Sequence, residues 1–293
     1  MPPQNKRRRW LLIPVAAVLI VAPLVWVFFN PEWVETQVTK YVAERRQETH
    51  ELRLKDPGAW RTLADGLELR WLDFGRQGRW LAGFHLVALR IDPLLWDLRM
   101  LQVPPEELPA VDMEILAEQN RAVALINASF FDPEMKVMGL LIIDGQTVSP
   151  LRPEGSIHHG VFFLRDRRAY LMHRTSVDLT GVSQAFQAGP WLVTDGEAQS
   201  HFRNAQVVSR RTAISVDRRG RVILSATDDL LGGLSLPELA KVLADPEPRG
   251  LGVWRAINCD GGTSTQMVLN YPDASFAIRS TVNVPIYLGV FSK

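Results

Sequence analysis

Cysteine is almost missing from this 293-residue chain: Cys259 stands alone, so no intrachain disulfide can form. An excess of either charge is missing too. Lys+Arg 33 against Asp+Glu 32 leaves a formal net charge of +1, and much of the basic surplus sits in Lys6-Arg7-Arg8-Arg9. No broad cationic surface remains, which excludes a nucleic-acid partner. The six histidines show no third or fourth ligand at zinc-site spacing. Internal repeats and low-complexity tracts are absent, so neither a solenoid nor a disordered linker accounts for the length.

What is present begins with an uncharged apolar run, Trp10 to Phe29, long enough to span a bilayer as a helix. The basic residues 1–9 before it predict a cytoplasmic tail, a single-pass anchor over 10–29 in a bacterial-type inner membrane, and an exported C-terminal domain. A cleaved signal peptide is the rival reading, but its apolar region is shorter and ends in a small-x-small site; here the run ends in Trp26-Val27-Phe28-Phe29. Asn30-Pro31-Glu32 reads as a helix start, which predicts a helical stalk over 30–62. A solvated helix is preferred there to self-association through Trp33, Val38 and Tyr41, because the stripe is short for a coiled coil. Residues 63–293 suffice for one domain.

Within that domain, Gly66–Trp71, Trp80–Ile91, Val123–Ile126 and Leu140–Ile143 read as strands. Asp144-Gly145 turns the last of these into Thr147-Val148. Val161–Leu164 pairs with Ala169–Met172, and Ile214 and Val216 turn through Arg218-Arg219-Gly220 to Val222 and Leu224. Val111–Asn120 reads as a helix. Ser235-Leu236-Pro237-Glu238 is a capping box opening another through Leu243, and a short third is expected near Arg249–Val253. Hairpins in series with a few helices predict an α+β fold. Pro285 predicts an edge or a bulge in the last strand.

The segment Ala256-Ile257-Asn258-Cys259-Asp260-Gly261-Gly262-Thr263-Ser264-Thr265-Gln266-Met267 carries the chemistry. An apolar run reaches an Asn and an Asp, then breaks into two glycines and three hydroxyl residues. Glycines let backbone N–H groups turn toward an anion, hydroxyls add donors, and the carboxylate adds an acid, a base or a metal ligand. That inventory suits a phosphorylated sugar; a tight strand-to-turn connection is the plain alternative. Four further blocks precede it in order: Ala124-Leu125-Ile126-Asn127-Ala128-Ser129-Phe130-Phe131, Gly139 to Gly145, Ala188-Gly189-Pro190-Trp191-Leu192-Val193, and Arg211-Thr212-Ala213-Ile214. Together the five resemble the phosphodiester glycosidase family, which includes bacterial members associated with exopolysaccharide. The resemblance covers roughly Leu63 to Lys293. It departs from the family pattern where Cys259 replaces Leu and Thr263 replaces a third Gly.

The resemblance implies a hydrolase of a sugar-1-phosphodiester in cell-envelope glycan. Asp260 is the leading base or nucleophile, and Asp228 is a second acid or else a turn residue. Asn127 would orient a sugar hydroxyl or the Asp260 carboxylate. Arg211 is the best phosphate ligand because its planar fork can pair two oxygens. Gly261 and Gly262 would offer N–H donors, with Thr212, Asn258, Thr263, Ser264 and Gly189 around them. His159, beside His158, sits at the substrate rim or is a plain loop residue. Trp191 stacks on a sugar or belongs to the core. His85 reads as a satisfied core histidine, and Cys259 as a small hydrophobe. A divalent cation, Mg or Ca, bridging carboxylate and phosphate is chemically sensible, with Asp260 and Asp228 as its ligands. The alternative is a non-catalytic glycan-binding or polysaccharide-assembly factor with the same pocket.

Overall fold

The computed structural model describes residues 52–76, 79–104, 106–108, 112–154, 158–228 and 232–293. The expected anchor over 10–29 and most of the expected stalk lie outside them. Among the described residues no helix is long and apolar enough to cross a membrane.

The chain opens with β1 (Leu52–Asp56), β2 (Arg61–Ala64), β3 (Leu67–Arg76), β4 (Arg79–Ile91) and β5 (Asp97–Gln102). Helix α1 (Met113–Asn120) leads to β6 (Ala124–Asn127), β7 (Leu141–Ile143), β8 (Gln146–Ser149), β9 (Gly160–Arg165) and β10 (Arg168–His173). Next come β11 (Gln184–Ala188), β12 (Trp191–Thr194), β13 (Glu197–Ala198), β14 (Thr212–Val216) and β15 (Val222–Thr227). Helix α2 (Leu236–Ala244), β16 (Arg255–Asn258), β17 (Met267–Tyr271), β18 (Ala274–Ile278) and β19 (Ile286–Phe291) complete it. The α+β expectation is therefore corrected: the fold is mostly β, with α1 and α2 as its two α-helices among the described residues. The stalk expectation fails where it can be seen. Leu52–Asp56 pairs antiparallel with β3, as does Arg61–Ala64, so the folded unit begins before Leu63. Residues 52–56 alternate in side-chain direction and found a sheet edge to join, so tertiary pairing overrode the helical expectation at these positions.

The strands form three sheets, ordered β1-β3-β4-β15-β14-β16-β12-β13 (with β2 also on β3), β10-β9-β11-β7-β8 and β18-β17-β6-β19-β5. One core lies between them. Leu89, Ile214, Leu224 and Ile257 from the large sheet meet Phe162 and Phe186 from the second and Ile126, Met267 and Leu288 from the third. The other face of the large sheet is covered by α2, whose Leu239, Ala240 and Leu243 are fully buried; each leucine contributes about 1.5–3 kcal/mol. The capping box that starts α2 is present, Ser235 and Glu238 bonding reciprocally. Helix α1 covers the outer face of the third sheet through Met113, Leu116 and Ala117. No helix forms at Arg249–Val253. Pro285 falls just before β19, which is central between β6 and β5, so it marks a strand start, where its missing N–H is harmless.

Arg70, only 1% exposed, ties the second face together. Its guanidinium donates to the carbonyls of Pro57 (2.9 Å), Gly250 (3.0 Å) and Pro248. Arg70→Met should strand these carbonyls and lower unfolding free energy by about 2–4 kcal/mol. The denaturant midpoint measures this; a drop below about 1 kcal/mol would show that the loops re-solvate freely.

Candidate active site

Register brings several strand ends to one place. Ala213 pairs with Asn258 across β14 and β16, and Thr212 with Ala226 across β14 and β15. Asp260 follows β16 and Asp228 follows β15, at the same end of the large sheet. The third sheet meets them there, since the Asp260 N–H donates to the carbonyl of Ala128 just after β6 (3.3 Å).

Asn127 is the hub. It is fully buried. Its Nδ2 donates to the Asp260 carbonyl (2.6 Å), and its Oδ1 accepts from the Thr212 hydroxyl (2.9 Å) and the Gln266 N–H (3.0 Å). The Asp260 carboxylate accepts from the Ser264 hydroxyl and the Gly261 N–H, while burial holds its pKa above the usual carboxylate range. Desolvation outweighs those two bonds, and the result is a stronger base than a solvated aspartate.

The glycines serve close approach. A Cβ on Gly261 would come within 2.9 Å of the Arg210 carbonyl, and Gly262 has φ +63°. The Gly262 N–H donates to the Arg210 carbonyl (2.9 Å), so neither glycine N–H is held in reserve for a phosphate. A 3-10 turn spans Gly262–Ser264. Thr263 is not among the residues with left-handed backbone, so the turn does not require a third glycine. Cys259 is fully buried, and burial with the neighbouring Asp260 pushes its thiol pKa up; it packs as a hydrophobe.

Arg211 is placed differently from the expectation. Successive strand residues face opposite sides. Thr212 turns to Asn127, and Arg211 turns away to donate to the carbonyls of Leu234 (2.7 Å) and Val207 (2.6 Å). Burial lowers its pKa to about 10. The arginine on the Thr212 face is Arg210, 6% exposed and donating to the carbonyls of Thr265 (2.8 Å) and Arg279 (2.9 Å). Two-residue periodicity counted from Thr212 was the signal that could have found it.

Asp228 is engaged with His85, through Oδ2 to the ring Nδ1 (2.9 Å) and Oδ1 accepting the His85 N–H (2.8 Å). The His85 side chain is 44% exposed, with Asp73 3.9 Å from its other nitrogen, so it is not the core histidine expected. Asp228 and Asp260 follow strands separated by β14 in the large sheet, and Asp228 is engaged by His85. Among the described residues no cluster of three His, Cys, Asp or Glu side chains is placed to hold a metal.

Asn258 donates weakly to the Gly189 carbonyl (3.5 Å) and more closely to that of Cys259 (2.6 Å). Trp191 packs against the main core. His159 stacks on His173 at 6.1 Å, and burial beside Arg174 and His173 lowers its pKa. Its neighbour His158 is 1% exposed against the Phe130 ring. A cavity of about 280 Å³ opens beside the turn, lined by Gln266, Tyr287, Arg279 and Asn283 among others; the Thr281 N–H joins its wall to the Thr263 carbonyl (2.9 Å).

The sequence profile of the phosphodiester glycosidases matches residues 120–291. No curated protein matches the chain by sequence. Among solved structures, similarity extends to the catalytic domain of zebrafish N-acetylglucosamine-1-phosphodiester alpha-N-acetylglucosaminidase, auto-inhibited by its pro-peptide. That match has a TM-score of 0.58 at 22% identity, over 84% of this chain and 89% of that one. A hypothetical protein from Synechocystis matches with TM-score 0.54 at 19% identity, over 81% and 64%. A protein from Burkholderia pseudomallei K96243 named as exported matches with TM-score 0.53 at 14% identity, over 71% and 74%. At these identities the structures establish the shared fold.

Proposed function

Because this chain belongs to the phosphodiester glycosidase family and is thereby a hydrolase of phosphodiester-linked sugar, we propose that its substrate is a sugar-1-phosphodiester in cell-envelope glycan or exopolysaccharide, and that Asp260 performs the chemistry. The observation that carries the role is the Asp260 turn. Its main chain is pinned by fully buried Asn127 and its carboxylate is held by Ser264, in a site whose burial raises its basicity.

The reaction breaks the bond from the anomeric carbon to the phosphate oxygen. The departing phosphomonoester is a stable anion and needs little acid help, so the work lies in activating water and stabilising an oxocarbenium-like sugar. Asp260 takes the proton of the attacking water as its oxygen bonds the anomeric carbon; the bond electrons leave with the phosphate. Arg210 supplies positive charge behind the turn, and Arg211 is a brace for the Val207 and Leu234 backbone.

The test uses the full-length chain with methyl phosphodiesters of N-acetylglucosamine-1-phosphate, mannose-1-phosphate and galactose-1-phosphate. Assays run with EDTA and with added Mg²⁺ or Ca²⁺. Free sugar and methyl phosphate should appear in equal amounts. Release of methanol with retained sugar phosphate would place cleavage at the wrong bond and sink the proposal. Loss of turnover in EDTA, restored by one of the ions, would add a cation to the site.

A further inference from the structure

We propose that the outer face of the third sheet, beside the Asp260 turn, is a groove that binds a neutral stretch of a polysaccharide chain, so that the substrate is a polymer held over at least two sugar units. The cavity of about 280 Å³ lies just under the range of pockets for drug-sized ligands, about 300–1,000 Å³, and suits one sugar ring. A second hollow of about 520 Å³ adjoins it, the two sharing Glu114, Val268, Ala277 and Arg279. The Arg279–Glu114 ion pair (2.5 Å) stands at their boundary. Two hollows in a row along α1 and β17 match a chain better than a single small molecule.

The groove starts at the site. Tyr287 pairs with Asn127 across β19 and β6, and the Gln266 N–H bonds the Asn127 side chain. Both Gln266 and Tyr287 line the first hollow while being 4% and 2% exposed. The Gln266 amide donates to the Tyr287 hydroxyl (3.4 Å), which is that hydroxyl's only hydrogen bond among the described residues, so its own proton has no protein acceptor there. The Asn283 amide also lines the hollow and has no side-chain hydrogen bond to protein among the described residues. Apolar Val268, Ala277 and exposed Ile115 supply the patches that a sugar ring's C–H face covers, with amides and hydroxyls for its edges.

Charge selects against an anionic occupant. Arg279 is committed to Glu114, and Asp112 and Glu118 add negative charge to the two linings. The scissile phosphate therefore lies at the Asp260 turn, and uncharged sugar lies in the groove. Naming the occupant a sugar rests on the glycosidase reading above.

The test titrates the full-length chain with phosphate-free chitotetraose, maltotetraose and mannotetraose and with their monosaccharides, by calorimetry. One tetrasaccharide should bind at least about tenfold tighter than its monosaccharide, a factor set by one further seated unit. Asn283→Ala, a surface change that leaves the fold intact, should weaken it by about tenfold, and Tyr287→Phe should weaken it in a chain that still folds. No binding by any tetrasaccharide, no dependence on length, or wild-type affinity in Asn283→Ala overturns the groove. The two readings separate cleanly. Length-dependent binding without phosphodiester hydrolysis would keep the groove and remove the reaction; hydrolysis without length dependence would do the reverse.

Discussion

Asp260→Asn is expected to lose turnover by a factor of about 10²–10⁴, the range of a removed general base, while becoming more stable than wild type at neutral pH. Both effects have one cause. Burial raises the Asp260 pKa in the folded chain, so the protonated form is favoured by folding and the ionised form is not. The contribution of this carboxyl to stability is fully present below its unfolded pKa of about 3.9 and is lost as pH rises through the raised folded value. Asn keeps an oxygen to accept from Ser264 and Gly261 and has no charge to desolvate. The melting temperature of the variant should exceed wild type at pH 7, by about 2–4 °C per kcal/mol relieved, and the two should converge near pH 3. Wild-type activity should decline on acidification at a pH above the ordinary carboxylate range. A variant that is inactive but less stable at pH 7 would mean that the carboxylate is a structural anchor, and the assignment as base would fall.

Asn127→Ala carries the second large effect, in the opposite direction for stability. It strands the Thr212 hydroxyl, the Gln266 N–H and the Asp260 carbonyl at a position with no exposure. A loss of about 2–4 kcal/mol follows from leaving such groups unpaired. Activity should fall by about 10² or more even where the protein is still folded, because a shift of the Asp260 turn of about 1 Å is enough. Asn127→Asp keeps the acceptor for Thr212 and Gln266 but buries a carboxylate against the Asp260 carbonyl, so it should be at least as harmful as Ala to stability at neutral pH and to turnover. Equal activity in wild type and Asn127→Ala would remove Asn127 from the site.

Fold and site were legible to different depths. Local signals read well. The Asp144-Gly145 hairpin, the Arg165–Arg168 hairpin and the Ser235–Glu238 capping box formed as their residues require, because each is decided within a few residues of backbone chemistry. The Asn127, Asp260 and Ser264 grouping was also readable, since the motif places polar residues at strand ends where loops converge. Arg211 takes a different face from the one expected, because a motif names a residue without naming the face it takes. His85 was misread because its apolar neighbours in β4 hide the fact that Asp73 and Asp228 flank it.

The sequence by itself therefore determined the family, the local hairpins and helix cap, and the strand ends at which Asn127 and Asp260 stand. Periodicity, capping and glycine geometry are local properties, and they survive any arrangement of the sheets. Only the tertiary structure decided that the fold is mostly β, that Leu52–Asp56 is a strand, that Arg210 rather than Arg211 shares the Thr212 face, and that Asp228 belongs to His85. Each of those depends on which strands are neighbours and in what register, a matter of contacts between residues far apart in the chain. The groove beside Asn127 exists for the same reason, since α1, β17 and β19 meet there only once the third sheet has closed over the core.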